Sequence, residues 1–167
     1  MPQLGLGRSL VTPDFVGEPP LFTYTSDFSS DADGWVSIGS TPSLTGGQTV
    51  DGRSDVLQSN VTGTGVFVMG REFSDFGYNL SDLDGHRFVF SYDYWVFNTS
   101  TSGATEDIFT GYSASYLIPA FASWQTKTTD VVIGTVTDDK WRLGYLNGTG
   151  GPNIVYYHNM TFSVYAP

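Results

Sequence analysis

Residues 86–97 read HRFVFSYDYWVF, and this stretch decides the fold. Successive side chains along a β-strand point to opposite faces. A period of two puts Phe88, Phe90, Tyr92, Tyr94 and Val96 on one face, and Arg87, Val89, Ser91, Asp93, Trp95 and Phe97 on the other. The first set carries no charge and consists of aromatic and β-branched residues, which suit a pleated, half-buried surface. The second mixes charge, hydroxyl and aromatic rings. A strand with one wholly apolar face predicts an antiparallel sheet covered on that side.

Shorter segments on either side repeat the pattern. LFTYTSDF (21–28) places Phe22, Tyr24 and Ser26 together, and GWVSIG (34–39) is a short strand. TPSLTGGQTVDGRSD (41–55) reads as a loop with GG and DG turn signals. VLQSNV (56–61) and GVFVMGREF (65–73) read as a strand pair joined across TGTG, and SDFGYNLSDLDG (74–85) as a connection with one helical turn at Leu80 to Leu83. NTSTSGATED (98–107) reads as a loop, 108–117 and 120–126 as β-like, and TDVVIGTV (129–136) and KWRLGYLN (140–147) as strands. GTGGPN (148–153) reads as a turn before the closing strand NIVYYHNMTFSVY. About eight to ten evenly spaced strands predict an all-β, antiparallel jelly-roll-like β-sandwich. The sandwich is expected over residues 21–167, after an extended N-terminal arm over 1–20, whose Pro2, Gly5, Gly7, Pro13, Gly17, Pro19 and Pro20 break any strand periodicity.

Composition narrows the chemistry. The 167 residues contain no cysteine, so thiolate and disulfide chemistry are excluded. Seven Lys plus Arg against seventeen Asp plus Glu give a formal charge of −10, the opposite of a nucleic-acid-binding footprint. No apolar run is long enough to cross a membrane as a helix, and the N-terminus lacks the hydrophobic region of a signal peptide. Five of the six asparagines lie in N-x-[ST] sequons: Asn60, Asn79, Asn98, Asn147 and Asn159. They read as polar loop and strand-face residues. No G-x-S-x-G, H-E-x-x-H or phosphate-binding glycine loop occurs. The acidic pairs Asp82/Asp84, Glu106/Asp107 and Asp138/Asp139 fall in expected loops, where solvated turn residues are the default. The chain reads as non-enzymatic and calls for no cofactor.

The stretch SSDADGWVSIG (29–39) raises a metal question. An EF-hand loop needs D-x-[DN]-x-[DN]-G and a Glu at position twelve. Here the first position falls on Ser29 and the twelfth on Ser40. The stretch therefore reads as a polar turn into a strand, with Asp27 and Asp31 left as the candidate cation ligands. His86 and His158 are far apart in sequence; His158 is expected on one face with Tyr156, Met160 and Phe162, as a core or edge residue.

Taken in order, YTSDFSSDADGW, GRSDVLQSNVTGTGVFVMGREF, HRFVFSYDYW and VYYHNMTFSVY resemble the jelly-roll carbohydrate-binding modules attached to glycoside hydrolases, over roughly residues 22–165. That resemblance implies a sugar-binding surface on which aromatic rings stack against pyranose rings. Arg87, Asp93 and Trp95, sharing the second face of the strong strand, are the expected glycan-facing residues. Trp124, Trp141, Arg142, Tyr145 and Tyr157 lie on later strands, and Trp35 and Trp141 are expected in the core. Such modules often hold a structural calcium through the Asp of a final D-N-V; His158 stands at that position here, which removes the ligand.

A second resemblance concerns MPQLGLGRSLVTPD (1–14), which is similar to the starts of small virion proteins of tailed bacteriophages. It implies a structural protein on the outer surface of a capsid or tail, as a decoration (cement) protein or an appendage subunit. The partners would be the major capsid protein or other virion proteins, in a homo-oligomer such as a trimer, with host-surface glycans as a further ligand. Leu4, Leu6, Leu10, Val11 and Phe15 would anchor the arm on a neighbouring subunit. The alternative function is a carbohydrate-binding or adhesion domain acting on cell-surface glycans.

Overall fold

A computed structural model describes residues 18–38, 42–97, 102–109, 112–118 and 123–167, with the side chains of 66, 80, 102–118 and 146–152 left aside. The five arm residues from Leu4 to Phe15 lie outside the described residues. The strands are β1 (Phe22–Thr25), β2 (Val36–Ile38), β3 (Ser43–Val50), β4 (Arg53–Glu72), β5 (Arg87–Phe97), β6 (Ser102–Phe109), β7 (Tyr112–Ile118), β8 (Gln125–Val132) and β9 (Lys140–Tyr165). Two single-turn 3₁₀ segments, Phe73–Phe76 and Leu80–Asp82, bridge β4 and β5. All pairings are antiparallel.

The fold is a sandwich whose two sheets share their central strands. The second half of β9 pairs with β5 on one side, and on the other with β1 and the first half of β4. β8 extends this sheet beyond β5, and β3 extends it beyond β4. The first half of β9 pairs with the second half of β4 and with β6, flanked by β2 and β7. TGTG and GTGGPN are therefore not hairpin turns, as their sequences predict. They are facing bends where β4 and β9 pass together from one sheet to the other. The register slips between Val61 and Gly63 and again between Gly63 and Gly65, each slip placing one extra residue on β9. Such bulges bend a ribbon without ending it. Gly63 and Gly65 take φ of 96° and 133°, which a side chain would oppose.

Two expected loops are strands. The stretch 41–55 contains β3, which turns into β4 at Asp51 (φ 51°) and Gly52 (φ 78°). This is a two-residue turn whose twist matches the flanking strands. Glu106 and Asp107 lie on β6, paired to Leu143 and Arg142, and not in a loop.

The core follows the alternation of β5. Phe88, Phe90, Tyr92, Tyr94 and Val96 are all buried. Trp141 of β9 is fully buried and sits 4.9 Å from Phe90, 5.6 Å from Phe162 and 4.8 Å from Trp35, tying the sheets together. β9 changes its buried parity within its length. Val155 and Tyr157 face the core, and so do Met160, Phe162 and Val164. The extra residue lies between the pairs Asp93↔His158 and Ser91↔Thr161, where Asn159 adopts φ 49°. Asn tolerates this left-handed conformation better than most residues. His158 is therefore not on the face of Met160 and Phe162 but on the opposite one, with Tyr156.

Candidate functional site

The acidic turn resolves first. Asp27 Oδ1 accepts the Ser29 N–H at 3.1 Å, and Asp31 Oδ1 accepts the Asp33 N–H at 2.7 Å. Both carboxylates close local turns, and no group of three or more His, Asp or Glu positioned for a metal occurs among the described residues. Asp33 (φ 48°) and Gly34 (φ 74°) form the two-residue turn closed by Trp35 N–H to the Ala32 carbonyl at 2.9 Å. The Asp33 carboxylate accepts from the Tyr24 hydroxyl and pairs with Arg71 at 3.0 Å. The Arg71 guanidinium lies 4.5 Å from the Tyr24 ring centre and 4.9 Å from that of Phe76. Burial, then the bond to Asp33, pushes the Tyr24 phenol well above its ordinary range. The DADG stretch thus staples β1 to β4.

The outer face of β5 gathers a different set. Register places Thr45, Gln58, Tyr156 and Trp95 in one row across β3, β4, β9 and β5. Trp124 continues it, because Tyr94 pairs with Gln125. With neighbouring strands about 4.8 Å apart, the row spans roughly 19 Å. Trp95 lies 6.1 Å from Tyr156 and 5.8 Å from Trp124, the two indoles meeting edge to face at 65°. Asn60, Ile154 and Phe97 run along one side of this row. Along the other run His158, Asp93 and Thr126, followed by Thr161, Ser91 and Thr128. The aromatic strip thus has hydrogen-bonding groups along one side, and Asn60 beside the apolar Ile154 and Phe97 along the other.

Asp93 is the polar centre. Its Oδ1 accepts from Thr126 at 2.5 Å, and its Oδ2 accepts from Arg53 at 2.6 Å and Asn159 at 3.2 Å. Burial pulls the Asp93 pKa upward, but the bonds from Thr126, Arg53 and Asn159 together outweigh it and hold the carboxyl below its ordinary value. A glycosidase general acid needs the opposite shift. Arg53 reaches Asp93 because β4 pairs with β9 only from Leu57 onward, while β1 takes that edge at Thr25↔Thr161. The Arg53 guanidinium lies 4.6 Å from the centre of the Trp124 ring, and its Nη1 is 3.5 Å from His158 Nδ1.

Of the three expected glycan-facing residues, Asp93 and Trp95 belong to this strip and Arg87 does not. Arg87 shares their face but lies six residues from Asp93 along β5, about 20 Å away. It forms a bidentate pair with Asp130 at 2.8 and 2.6 Å and covers the Tyr165 ring at 5.0 Å. Trp141, Tyr145 and Tyr157 are buried in the core. Tyr156, Gln58 and Arg53 escape a sequence reading because only cross-strand register brings them beside Trp95. The parity change at Asn159 alone would have drawn attention to Tyr156.

No protein-family profile and no curated protein sequence matches the chain. Solved structures do. A xylan-binding family 22 module, CBM22-1 of Paenibacillus barcinonensis Xyn10C, superposes with a TM-score of 0.59 at 10% identity, covering 89% of this chain and 97% of its own. The C-terminal family 22 module of Clostridium thermocellum Xyn10B gives 0.58 at 13% identity, over 84% and 92%. A family 29 module, CBM29-2, solved with mannohexaose, gives 0.53 at 10% identity, over 85% and 91%. The fold is a carbohydrate-binding-module jelly roll. At these identities the likeness extends to the fold alone.

Proposed function

We propose that the outer face of the sheet containing β5 binds a glycan chain without cleaving it. The row Gln58–Tyr156–Trp95–Trp124 carries this reading. Pyranose rings present apolar C–H faces that pack on aromatic rings, and equatorial hydroxyls that meet side chains to either side. With Thr45 at its far end the row is about 19 Å long. Its rings at Tyr156, Trp95 and Trp124, with the polar margin of His158, Asp93, Thr126, Ser91 and Thr128 on one side, suit several consecutive sugars. The jelly rolls of like fold include a xylan-binding module and one solved with mannohexaose, which supports the same reading. Asp93, held ionised, acts as a hydrogen-bond acceptor and as the anchor of Arg53. The virion role implied by residues 1–14 rests on sequence alone, and a glycan-binding domain on an outer surface would be compatible with it.

Electrophoresis through native gels containing soluble xylan, mannan, β-glucan, glucuronoxylan or polygalacturonate tests the proposal. The wild-type protein is expected to be retarded by at least one polymer, and Trp95→Ala to lose at least 10-fold in affinity while keeping its far-ultraviolet spectrum. Absence of retardation by every polymer, or equal retardation of Trp95→Ala, would overturn it.

A further inference from the structure

We infer that Arg53 makes the strip selective for acidic glycans, by offering its guanidinium fork to a uronic acid carboxylate; this rests on the glycan reading above. A guanidinium carries five N–H donors in a fixed plane. In Arg53 only Nη1 is engaged, by Asp93 at 2.6 Å and beside His158 at 3.5 Å. Among the described residues, Nε and Nη2 have no hydrogen-bond partner. The side chain is 34% exposed, so that edge faces solvent.

The unused edge is the one that binds carboxylates. Arg87, on the same face, shows the geometry: Nε donates to Asp130 Oδ1 at 2.8 Å and Nη2 to Oδ2 at 2.6 Å. Paired donors of this kind match a carboxylate in spacing and direction, and a charge-assisted pair is roughly twice as strong as a neutral hydrogen bond. Other arginines of the fold are differently placed. Arg71 is held by Asp33 and Asp75, and Arg142 by Asp138.

Arg53 is also rigidly presented. Its plane rests on Trp124, and its Nη1 is fixed by a carboxylate that Thr126 and Asn159 hold in turn. Asp93 has therefore committed its charge to Nη1 and leaves the Nε–Nη2 edge for an outside anion. The fork sits at the margin of the aromatic row, where a sugar stacked on Trp95 would carry its ring substituents. The chain's overall charge of −10 opposes a polyanion at long range. At physiological ionic strength that repulsion is screened beyond about 8 Å, so the contact itself sets the preference.

The probes are glucuronoxylan and the same polymer with its carboxyls reduced to primary alcohols, compared by gel retardation at 0.15 M and about 1 M salt. Wild-type protein is expected to bind the acidic form at least 10-fold more tightly at the lower salt, with the ratio shrinking at the higher. Arg53→Gln should bring the ratio close to one, and Arg53→Lys, which keeps the charge without the fork, should give an intermediate value. Equal or tighter wild-type binding of the reduced polymer overturns the inference and leaves the glycan reading standing. Failure to bind either form also overturns it, and the neutral polymers of the panel then decide whether the glycan reading survives. The wild-type comparison stands whether or not the variants fold.

Discussion

At the scale of single residues, the site depends on where a few polar groups find their partners. Asp93 lies on the most apolar strand of the chain, yet three donors hold its carboxylate in place. Because its folded-state pKa is depressed, the stability it contributes is present above the unfolded Asp pKa of about 3.9 and is lost as pH falls through the lower folded value. Asp93→Asn should therefore melt below the wild type at pH 7, and the gap should narrow steadily below about pH 4. Melting curves of both proteins from pH 7 to pH 2.5 provide the check, and a gap that does not change with pH would contradict the assignment. His158 owes its place in the cluster to its neighbour Asn159, whose left-handed conformation turns Tyr156 and His158 outward while Met160 and Phe162 stay in the core.

At the scale of elements, the two long strands matter most. β4 and β9 pair from Glu72↔Lys140 at one end to Leu57↔Tyr157 at the other, and bend together at Gly63, Gly65 and Gly150. The space around Gly63 and Gly65 is open, so a methyl group there would meet no neighbour. The cost of a side chain is conformational, about 1–2 kcal/mol for a non-glycine residue in the left-handed region. Gly63→Ala and Gly65→Ala should each lower the urea midpoint by a corresponding amount despite their exposure. Gly52→Ala, at the tip of the β3–β4 turn, shares the positive φ and the open surroundings but lies outside the bend. It should leave the β4–β9 pairing intact, as read by amide hydrogen exchange of residues 66–70, whereas the bend variants should increase exchange there.

For the whole molecule, sharing β4 and β9 between the sheets has a thermodynamic consequence. Neither sheet retains its central strands if the other unfolds, and Trp141 packs against Phe90 and Phe162 of the opposing sheet. Unfolding in urea should be one cooperative transition, with tryptophan fluorescence and far-ultraviolet circular dichroism giving the same midpoint. Two separated midpoints would mean that the sheets are independent units. The β4–β9 ribbon changes sheet at Gly63, Gly65 and Gly150, so the row Thr45, Gln58, Tyr156 and Trp95 lies on a single sheet.

The sequence by itself determined the fold class, the buried face of β5 and the placement of Asp93 and Trp95 on the other face, because a period of two is a local property of the chain. It also excluded an EF-hand at SSDADGW, since ligand spacing is local too. Tertiary structure alone decided that TGTG and GTGGPN are bends within continuous strands. Glycine-rich stretches permit a turn or a bulge equally, and only pairing between β4 and β9 selects the bulge. It likewise decided that Arg53, and not Arg87, stands beside Asp93. Residues 40 positions apart in sequence meet through strand register, and register is fixed by the packing of whole sheets against a common core, which no local pattern encodes.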